Sequence, residues 1–264
     1  MDDKKVIAFH SYKGGTGKTT CIVNLAALFA QEGKKVCLID FDIYAPSLIT
    51  YFDESPQYYI HDLLSGDAGI HDVLVDYSKK LGVKGELHIA FASPAKEDIH
   101  GVEIRYDDNF QLKALRQFLS IKKQLLEREG FDYILIDTSP GIRYWSINAL
   151  ATADILFLML KVNNMDINGT KRMITEIYDS LTRFGLSTRL ILNKVPGASP
   201  IEYDPDVFHE IEEEIQETLN LPIFLSIPCF CDIQFNRNEY LWAINKPKHP
   251  FSLRLQEIQS LLRK

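Results

Sequence analysis

The chain has 264 residues, of which 46% are hydrophobic and 25% are charged, and its formal net charge at pH 7 is −7. A chain of this length and composition can bury a full core, so we expect one domain covering residues 1–264. The acidic balance argues against a protein that coats nucleic acid with its whole surface, and even the longest apolar runs, such as Ile155 to Leu160, are too short to span a membrane.

Apolar runs typical of buried strands alternate with helical patterns along the chain. The predicted strands are Val6–His10, Val36–Phe41, Leu87–Ala92, Tyr133–Asp137, Ile155–Val162, Thr188–Asn193 and Ile223–Ile227. The predicted helices are Lys18–Gln31, Phe110–Arg128, Ile167–Phe184, Asp206–Leu219 and Ser252–Leu262, and Gly33, Gly130 and Gly185 stand where helices commonly end. This alternation predicts an α/β fold with a doubly wound, mainly parallel β-sheet and helices on both faces.

The stretch from about residue 51 to 86 is less regular than the rest of the chain. Four glycines interrupt it, and short helical patterns occur around His61–Leu64 and Ile70–Leu81. We expect this stretch to form an insertion over the sheet rather than a separate domain.

Residues 13–20 read Lys-Gly-Gly-Thr-Gly-Lys-Thr-Thr and lie between the first predicted strand and the first predicted helix. This is the pattern of a phosphate-binding loop, in which glycines let backbone N–H groups turn toward an anion. In such a loop Lys18 reaches the β- and γ-phosphates, and the Thr19 hydroxyl can ligate Mg²⁺. A nucleoside triphosphate with Mg²⁺ is therefore the expected ligand. The predicted nucleotide-binding residues of the loop are Gly14, Gly15, Thr16, Gly17, Lys18, Thr19 and Thr20.

Two predicted strands end in aspartate, at the edge where open α/β sheets bind ligands. Asp40 and Asp42 share one face of an extended chain, because side chains two residues apart point the same way. Asp137 precedes a turn containing Pro140 and Gly141, which we predict to be a switch that senses the γ-phosphate. The alternative for each aspartate is a helix cap or a turn former.

Lys13, directly before Gly-Gly-x-Gly-Lys-Thr, makes the loop resemble the deviant Walker A sequence of the MinD/ParA family of P-loop ATPases. In that family the extra lysine reaches the nucleotide of a partner subunit. The resemblance thus implies an ATP-dependent homodimer and a slow ATPase stimulated by a protein partner. It also implies that Asp137 holds Mg²⁺ through water, that Asp40 lies beside the metal and that Asp42 positions the attacking water. Lys13, Lys18 and Asp42 are the expected catalytic residues.

The predicted strand that ends at Asn193 indicates which base is bound. GTPases carry an aspartate three residues after such an asparagine, and Pro196 occupies that position here. Guanine therefore lacks its specifying acceptor, and we expect ATP, with Asn193 bonded to the adenine edge or acting as a simple turn residue. By the family resemblance, Pro228 begins the loop that touches the adenine.

Cys229 and Cys231 leave a second functional class open. The Mrp-type carriers of the same family hold an iron–sulfur cluster between subunits with a Cys-x-x-Cys pair, whereas this pair has one intervening residue. Loop or core thiols are the more common explanation of such a pair. We therefore expect an ATP-driven switch that controls the positioning or partitioning of a partner, DNA or a membrane-associated cargo. The alternative is a metallochaperone ATPase that carries or inserts an iron–sulfur cluster or metal through these cysteines.

The sequence leaves two alternatives for the surface that such a switch would bind, a membrane or DNA. Phe251, Leu255, Ile258 and Leu262 form an apolar face at helical spacing, which suits either a membrane-surface helix or a helix packed on the sheet. Residues 237–264 also carry six basic and two acidic side chains, which could meet DNA phosphates. Four irregularly spaced cysteines and no secretion-type N-terminal segment predict a cytoplasmic protein, with a peripheral location at the membrane or nucleoid as the expected alternative.

Overall fold

The structure, a computed structural model, describes residues 4–104, 108–178, 185–196, 205–236 and 240–263. Its strands are β1 (Lys5–His10), β2 (Lys35–Phe41), β3 (Leu74–Asp76), β4 (Glu86–Ala90), β5 (Tyr133–Thr138), β6 (Ile155–Leu160), β7 (Ser187–Val195) and β8 (Ile223–Pro228). They form one eight-stranded sheet in the order β3-β4-β2-β5-β1-β6-β7-β8. Every neighbouring pair is parallel except β3 with β4, which is antiparallel.

The helices of the described residues cover both faces of this sheet. They are α1 (Lys18–Gln31), α2 (Leu48–Phe52), α3 (Ile60–Ser65), α4 (Ile70–Val73), α5 (Ser78–Leu81), α6 (Lys96–Ile104), α7 (Asp108–Lys123), α8 (Tyr144–Leu150), α9 (Asn164–Met173), α10 (Pro205–Leu219), α11 (Cys231–Gln234), α12 (Trp242–Asn245) and α13 (Pro250–Leu261). Two π-helical segments, Gln124–Arg128 and Ile174–Tyr178, continue α7 and α9.

The hydrophobic core has two parts, one on each face of the sheet. Val6 and Ala8 of β1 belong to the part covered by α7, α8 and α9, whereas Ile7 and Phe9 belong to the part covered by α1 and α13. Consecutive residues of one strand thus reach opposite layers, as the period of two requires. The predicted doubly wound, mainly parallel architecture is confirmed.

Most predicted elements are present with small shifts in their ends. Gly33, Gly130 and Gly185 have φ values of 95°, 74° and 90°, which is the left-handed conformation expected after a helix. The predicted helix Ile167–Phe184 begins earlier, at Asn164, because the Asn163 side chain caps the Asp166 N–H. Its predicted end, at 179–184, lies outside the described residues. Helix α6 has no counterpart among the predicted elements.

The helical prediction for Ile70–Leu81 is wrong in its middle. Leu74–Asp76 forms the edge strand β3, and Leu74 pairs with Ala90 of β4 in antiparallel register. Backbone pairing at the sheet edge outweighs a helical pattern that covers only three turns. Residues of the predicted insertion therefore extend the sheet itself.

The C-terminal helix α13 is packed inside the protein. Leu255 and Ile258 are wholly buried in the same core layer as α1, and Phe251 and Leu262 are nearly so. The membrane-surface interpretation of this apolar face is wrong, because the face is already covered by α1 and the sheet. None of the helices in the described ranges is both long and apolar enough to cross a membrane.

Leu255→Ala should lower the free energy of unfolding by about 3 kcal/mol, because it leaves a cavity between α13 and α1. The matched control is Leu253→Ala on the same helix, where the side chain is 50% exposed and the expected change is below about 0.5 kcal/mol. Urea unfolding of both variants measures the difference. Equal losses of stability would show that α13 does not pack as described.

Candidate functional site

Strands β1, β2 and β5 lie side by side and bring their carboxyl ends to one edge of the sheet. In the strand register Asp137 of β5 is paired with Phe9 of β1 and with Asp40 of β2. The loop of residues 11–17 leaves β1 at this point and leads into α1. The sheet topology therefore places the predicted phosphate loop and two of the predicted carboxylates together.

The phosphate loop needs glycine at particular positions. Gly15 and Gly17 have φ values of 72° and 96°, which residues with a Cβ rarely adopt. A Cβ on Gly17 would also lie 2.3 Å from Nδ2 of Asn193. That same Nδ2 donates to the carbonyl oxygen of Thr16 at 2.7 Å. Asn193 is thus built into the wall of the loop, and its predicted role, a contact for the base or a simple turn residue, stays a prediction.

Lys18 is buried at the start of α1. Its Nζ donates to Oγ of Ser11 at 3.0 Å, and the Ser11 hydroxyl in turn donates to the carbonyl oxygen of Lys13. Burial lowers the pKa of Lys18, and the nearby carboxylates of Asp137 and Asp42 oppose that change. A buried ammonium of this kind is suited to a polyanionic ligand.

Thr19, the second residue of α1, contacts Asp137 of β5. The Thr19 hydroxyl donates to Oδ2 of Asp137 at 2.6 Å, and the Ser47 hydroxyl lies 3.2 Å from the same Thr19 oxygen. Oδ1 of Asp137 is buried and has no hydrogen-bond partner among the described residues. Burial raises the pKa of Asp137 to about 6. A hydroxyl beside a carboxylate oxygen with free acceptor capacity is a donor set that fits a hydrated Mg²⁺ ion.

Asp40 is completely buried beside Asp137. Its two oxygens accept the backbone N–H groups of Asp42 at 3.0 Å and Leu48 at 3.3 Å, so that it fixes the turn between β2 and α2. Burial raises the pKa of Asp40 well above its usual range, and the charges of Asp137 and Asp42 raise it further. Asp40 therefore holds the loop that carries Asp42.

Asp42 is joined to the predicted switch. Its Oδ1 accepts the hydroxyl of Ser139 at 2.8 Å and the N–H of Ala45 at 3.3 Å. Burial raises its pKa, while the bond from Ser139 opposes the rise. The position of this carboxylate thus depends on the chain segment that follows Asp137.

The predicted switch residues pack directly on the phosphate loop. Gly141 has a φ of 76°, and its N–H donates to the carbonyl oxygen of Ser11 at 2.9 Å. A Cβ added to Gly14 would lie 3.9 Å from Cγ of Pro140, which is an ordinary contact distance. A ligand that displaces the loop would therefore also displace the segment around Pro140.

Lys13 contacts α9 of the same chain. Its Nζ lies 3.9 Å from Oδ1 of Asp166, and its side chain is 36% exposed. The ring of Tyr12 packs against Gly169 of α9 so closely that a Cβ there would lie 2.0 Å from the ring. The backbone before Lys13 is thus fixed, whereas its ammonium remains accessible.

A cavity of about 240 Å³ adjoins the loop on the side of β7 and β8. Asn193 and Pro228, the two residues predicted to contact the base, line it together with Gly17, Thr20 and Tyr51. The Tyr51 hydroxyl lies 2.9 Å from Oγ1 of Thr20, and its ring is 4.6 Å from that of Tyr240. The cavity is therefore continuous with the phosphate loop and offers aromatic surface for a base.

The two cysteines of the alternative function differ in environment. Cys229 lines the cavity, and its Sγ lies 3.9 Å from Oε1 of Gln234, whereas Cys231 is exposed at the start of α11. Within the described ranges, no group of three or more His, Cys, Asp or Glu side chains is placed to hold a metal ion.

Sequence reasoning missed three residues that shape the site. Ser11 and Ser139 adjoin predicted motifs, so hydroxyls next to the loop and next to Asp137 were a usable signal. Tyr51 belongs to the irregular stretch and carries no local signal, because only the fold brings it to Thr20.

Comparisons with known proteins find similar sequences and folds. A family model described as an AAA domain matches residues 4–185. The chain is 30% identical to the chromosome-partitioning ATPase Soj of Treponema pallidum, over 72% of this chain and 70% of Soj. It is also 30% identical to the septum site-determining protein MinD of Thermotoga maritima, over 86% of this chain and 76% of MinD.

The fold matches a solved structure over nearly its whole length. The MinD protein of Pyrococcus horikoshii, solved with Mg-ADP, superposes with a TM-score of 0.71 at 23% identity, and the match covers 98% of this chain and 97% of that one. The phosphate loop with its additional lysine, the parallel sheet and the sequence matches lead to one assignment. The chain belongs to the MinD/ParA family of P-loop ATPases.

Proposed function

We propose that the protein is an ATP-binding and ATP-hydrolysing switch that closes into a homodimer around ATP and controls the positioning or partitioning of a cargo. The observation that carries this proposal is the meeting of Lys18, Thr19, Asp137 and Asp42 at the carboxyl ends of β1, β2 and β5. Relatives named for chromosome partitioning and septum-site determination support the kind of process.

ATP and Mg²⁺ fit the residues of the site. The backbone of residues 14–20 would cradle the phosphates, and the Lys18 ammonium would neutralise charge on the β- and γ-phosphates. Thr19 would hold Mg²⁺ directly and Asp137 through water, with Asp40 beside it. When bound, Mg²⁺ supplies charge neutralisation at the transferring phosphoryl group. The cavity beside Asn193 and Pro228 would take the adenine, since Pro196 stands where a GTPase has its guanine acceptor.

Asp42 is the candidate that would position the attacking water. Phosphoryl transfer needs in-line placement and charge stabilisation more than covalent help. The carboxylate is half-buried and held by Ser139 next to the proposed switch, so that its orientation follows Pro140 and Gly141. Hydrolysis in this arrangement would be slow until a partner fixes the geometry.

Lys13 would act across the dimer. Its side chain is 36% exposed and its ammonium contacts Asp166, whereas the Lys18 ammonium bonds Ser11. A lysine outside the Ser11–Lys18 network is available to the phosphates of a second copy. The same contact would make dimer formation depend on the γ-phosphate.

Asp42→Ala should keep ATP binding but slow hydrolysis by about a hundredfold or more, so that the ATP-bound dimer accumulates. The measurement is light scattering during size-exclusion chromatography with ATP–Mg²⁺, with ADP–Mg²⁺ and without nucleotide. We expect a dimer with ATP–Mg²⁺ only. A dimer that forms equally under all three conditions would contradict the proposal.

Binding assays with the ATP-bound Asp42→Ala dimer would also show whether the protein binds DNA or a membrane. Binding to duplex DNA but not to anionic vesicles, or the reverse, would distinguish the two surfaces. The ADP-bound protein is the control, and it should bind neither.

Lys13→Ala should change the dissociation constant for ATP less than about threefold but abolish the ATP-dependent dimer and its hydrolysis, because it removes a charge that acts across subunits. Lys79→Ala on α5, an exposed lysine away from the site, is the matched control. Fluorescent-nucleotide titration and a phosphate-release assay measure the two effects. Unchanged turnover in Lys13→Ala would contradict the proposed action of Lys13 on the nucleotide of a second subunit.

Cys229→Ser and Cys231→Ser should leave both the ATPase rate and the metal content unchanged, since the two thiols lack further ligands among the described residues. Elemental analysis of untreated protein and of both variants checks this. Iron, nickel or zinc that disappears with either substitution would favour the metallochaperone alternative instead.

A further inference from the structure

His10 is a buried imidazole at the last position of β1, just before the phosphate loop. It is 2% exposed and lies within a strand whose preceding four residues are all apolar and buried. Burial and the nearby Lys18 charge lower the pKa of His10 to about 3, so that the ring is neutral at physiological pH. Burial of a polar ring costs free energy unless the ring is hydrogen-bonded, so the hydrogen-bond partner of His10 matters for stability.

His10 and the residue that follows it, Ser11, contact the two ends of the proposed switch. Nδ1 of His10 is 2.5 Å from Oγ1 of Thr138, and that hydroxyl is also 2.8 Å from the carbonyl oxygen of Phe9. The other end of the switch is held by the next residue of the chain, because the carbonyl oxygen of Ser11 accepts the N–H of Gly141 at 2.9 Å. Thr138 and Gly141 enclose Ser139 and Pro140, so two consecutive residues at the end of β1 hold both ends of this short segment.

The proton count allows two arrangements of these contacts. A neutral imidazole has one N–H, and the Thr138 hydroxyl has one O–H. In the first arrangement Nδ1–H donates to Thr138, which donates to the Phe9 carbonyl. In the second, Thr138 donates to Nδ1 instead of to the Phe9 carbonyl. The hydrogen bond between His10 and Thr138 is thus coupled to the orientation of one hydroxyl.

The segment that His10 holds also fixes Asp42. The Ser139 hydroxyl donates to Oδ1 of Asp42 at 2.8 Å, and the Ser139 carbonyl accepts the hydroxyl of Ser146 at 3.1 Å. We propose that His10 is a positioning residue that sets the switch segment of residues 138–141 against the phosphate loop and thereby orients Asp42 for hydrolysis. This inference rests on the proposed function for its catalytic consequence, but its structural part is independent of catalysis.

The test compares His10→Phe, which keeps a ring without hydrogen bonds, with His10→Asn, which keeps a polar atom near the place of Nδ1. Thr138→Val removes the partner hydroxyl at almost constant shape. His10→Phe and Thr138→Val should each lower kcat about tenfold with less than about a twofold change in the ATP dissociation constant. His10→Asn should recover most of kcat. The double variant should be no slower than either single variant, because the two residues share one network.

Amide hydrogen exchange of the nucleotide-free protein supplies a readout without ATP. Residues 139–142 should exchange faster in His10→Phe and Thr138→Val, whereas α1 should be unchanged. A wild-type protein without ATPase activity would contradict the proposed function, and the exchange result would still decide the structural part of the inference. A kcat within twofold of wild type in His10→Phe, losses that multiply to about a hundredfold in the double variant, or unaltered exchange at residues 139–142 would overturn it.

Discussion

The site is organised by charge buried at the ends of three neighbouring strands. Lys18, Asp40 and Asp137 are almost excluded from water, and exclusion from water disfavours the charged form of each. The pKa of the lysine is therefore lowered and the pKa values of the two aspartates are raised. A polyanion favours the ammonium, and a divalent cation favours the carboxylates. The protein groups are thus electrostatically complementary to a nucleotide and its metal taken together, and less so to either alone.

The same charged groups connect the phosphate loop to its surroundings by hydrogen bonds. Thr19 joins the loop to β5, Asp40 fixes the turn after β2, and Ser139 joins that turn to the switch segment. Because packed interiors shift between discrete arrangements rather than deform smoothly, a change at one of these contacts requires changes at the others. Nucleotide state can therefore reach Asp42 through a short chain of direct contacts.

The sequence predicted the parts of the site that lie within continuous motifs. The residues of the phosphate loop and the three aspartates have fixed places relative to an apolar strand, so their meeting at the strand ends follows from the parallel sheet alone. Their catalytic and ligand roles remain predictions. Strand β3 could not be found in this way, since three residues give no measurable periodicity and pairing with β4 decides their conformation.

Contacts between segments that are distant in the sequence could not be predicted either. Tyr51 meets Thr20 because α2 returns over α1, and His10 meets Thr138 because β1 and β5 are neighbours. Neither pair has a sequence spacing that could indicate contact. The predicted contact of Asn193 with the base stays a prediction, and the structure adds a bond from its side chain to the carbonyl of Thr16. A base-contacting residue and a loop-supporting residue look alike in sequence, because both are polar side chains at a strand end.

Helix α9 restricts the backbone of the phosphate loop near Lys13 but leaves the Lys13 side chain partly exposed. Gly169 allows the Tyr12 ring to lie directly on the helix, so the backbone that carries Lys13 has little room to move. The Lys13 side chain, however, is long and partly exposed, and its one ion pair among the described residues is a contact of 3.9 Å with Asp166. An ion pair at that distance and exposure contributes little free energy, on the order of 1 kcal/mol or less. In the proposed dimer, Lys13 would thus reach the second subunit by rotation of its own side chain, while the phosphate loop keeps its shape.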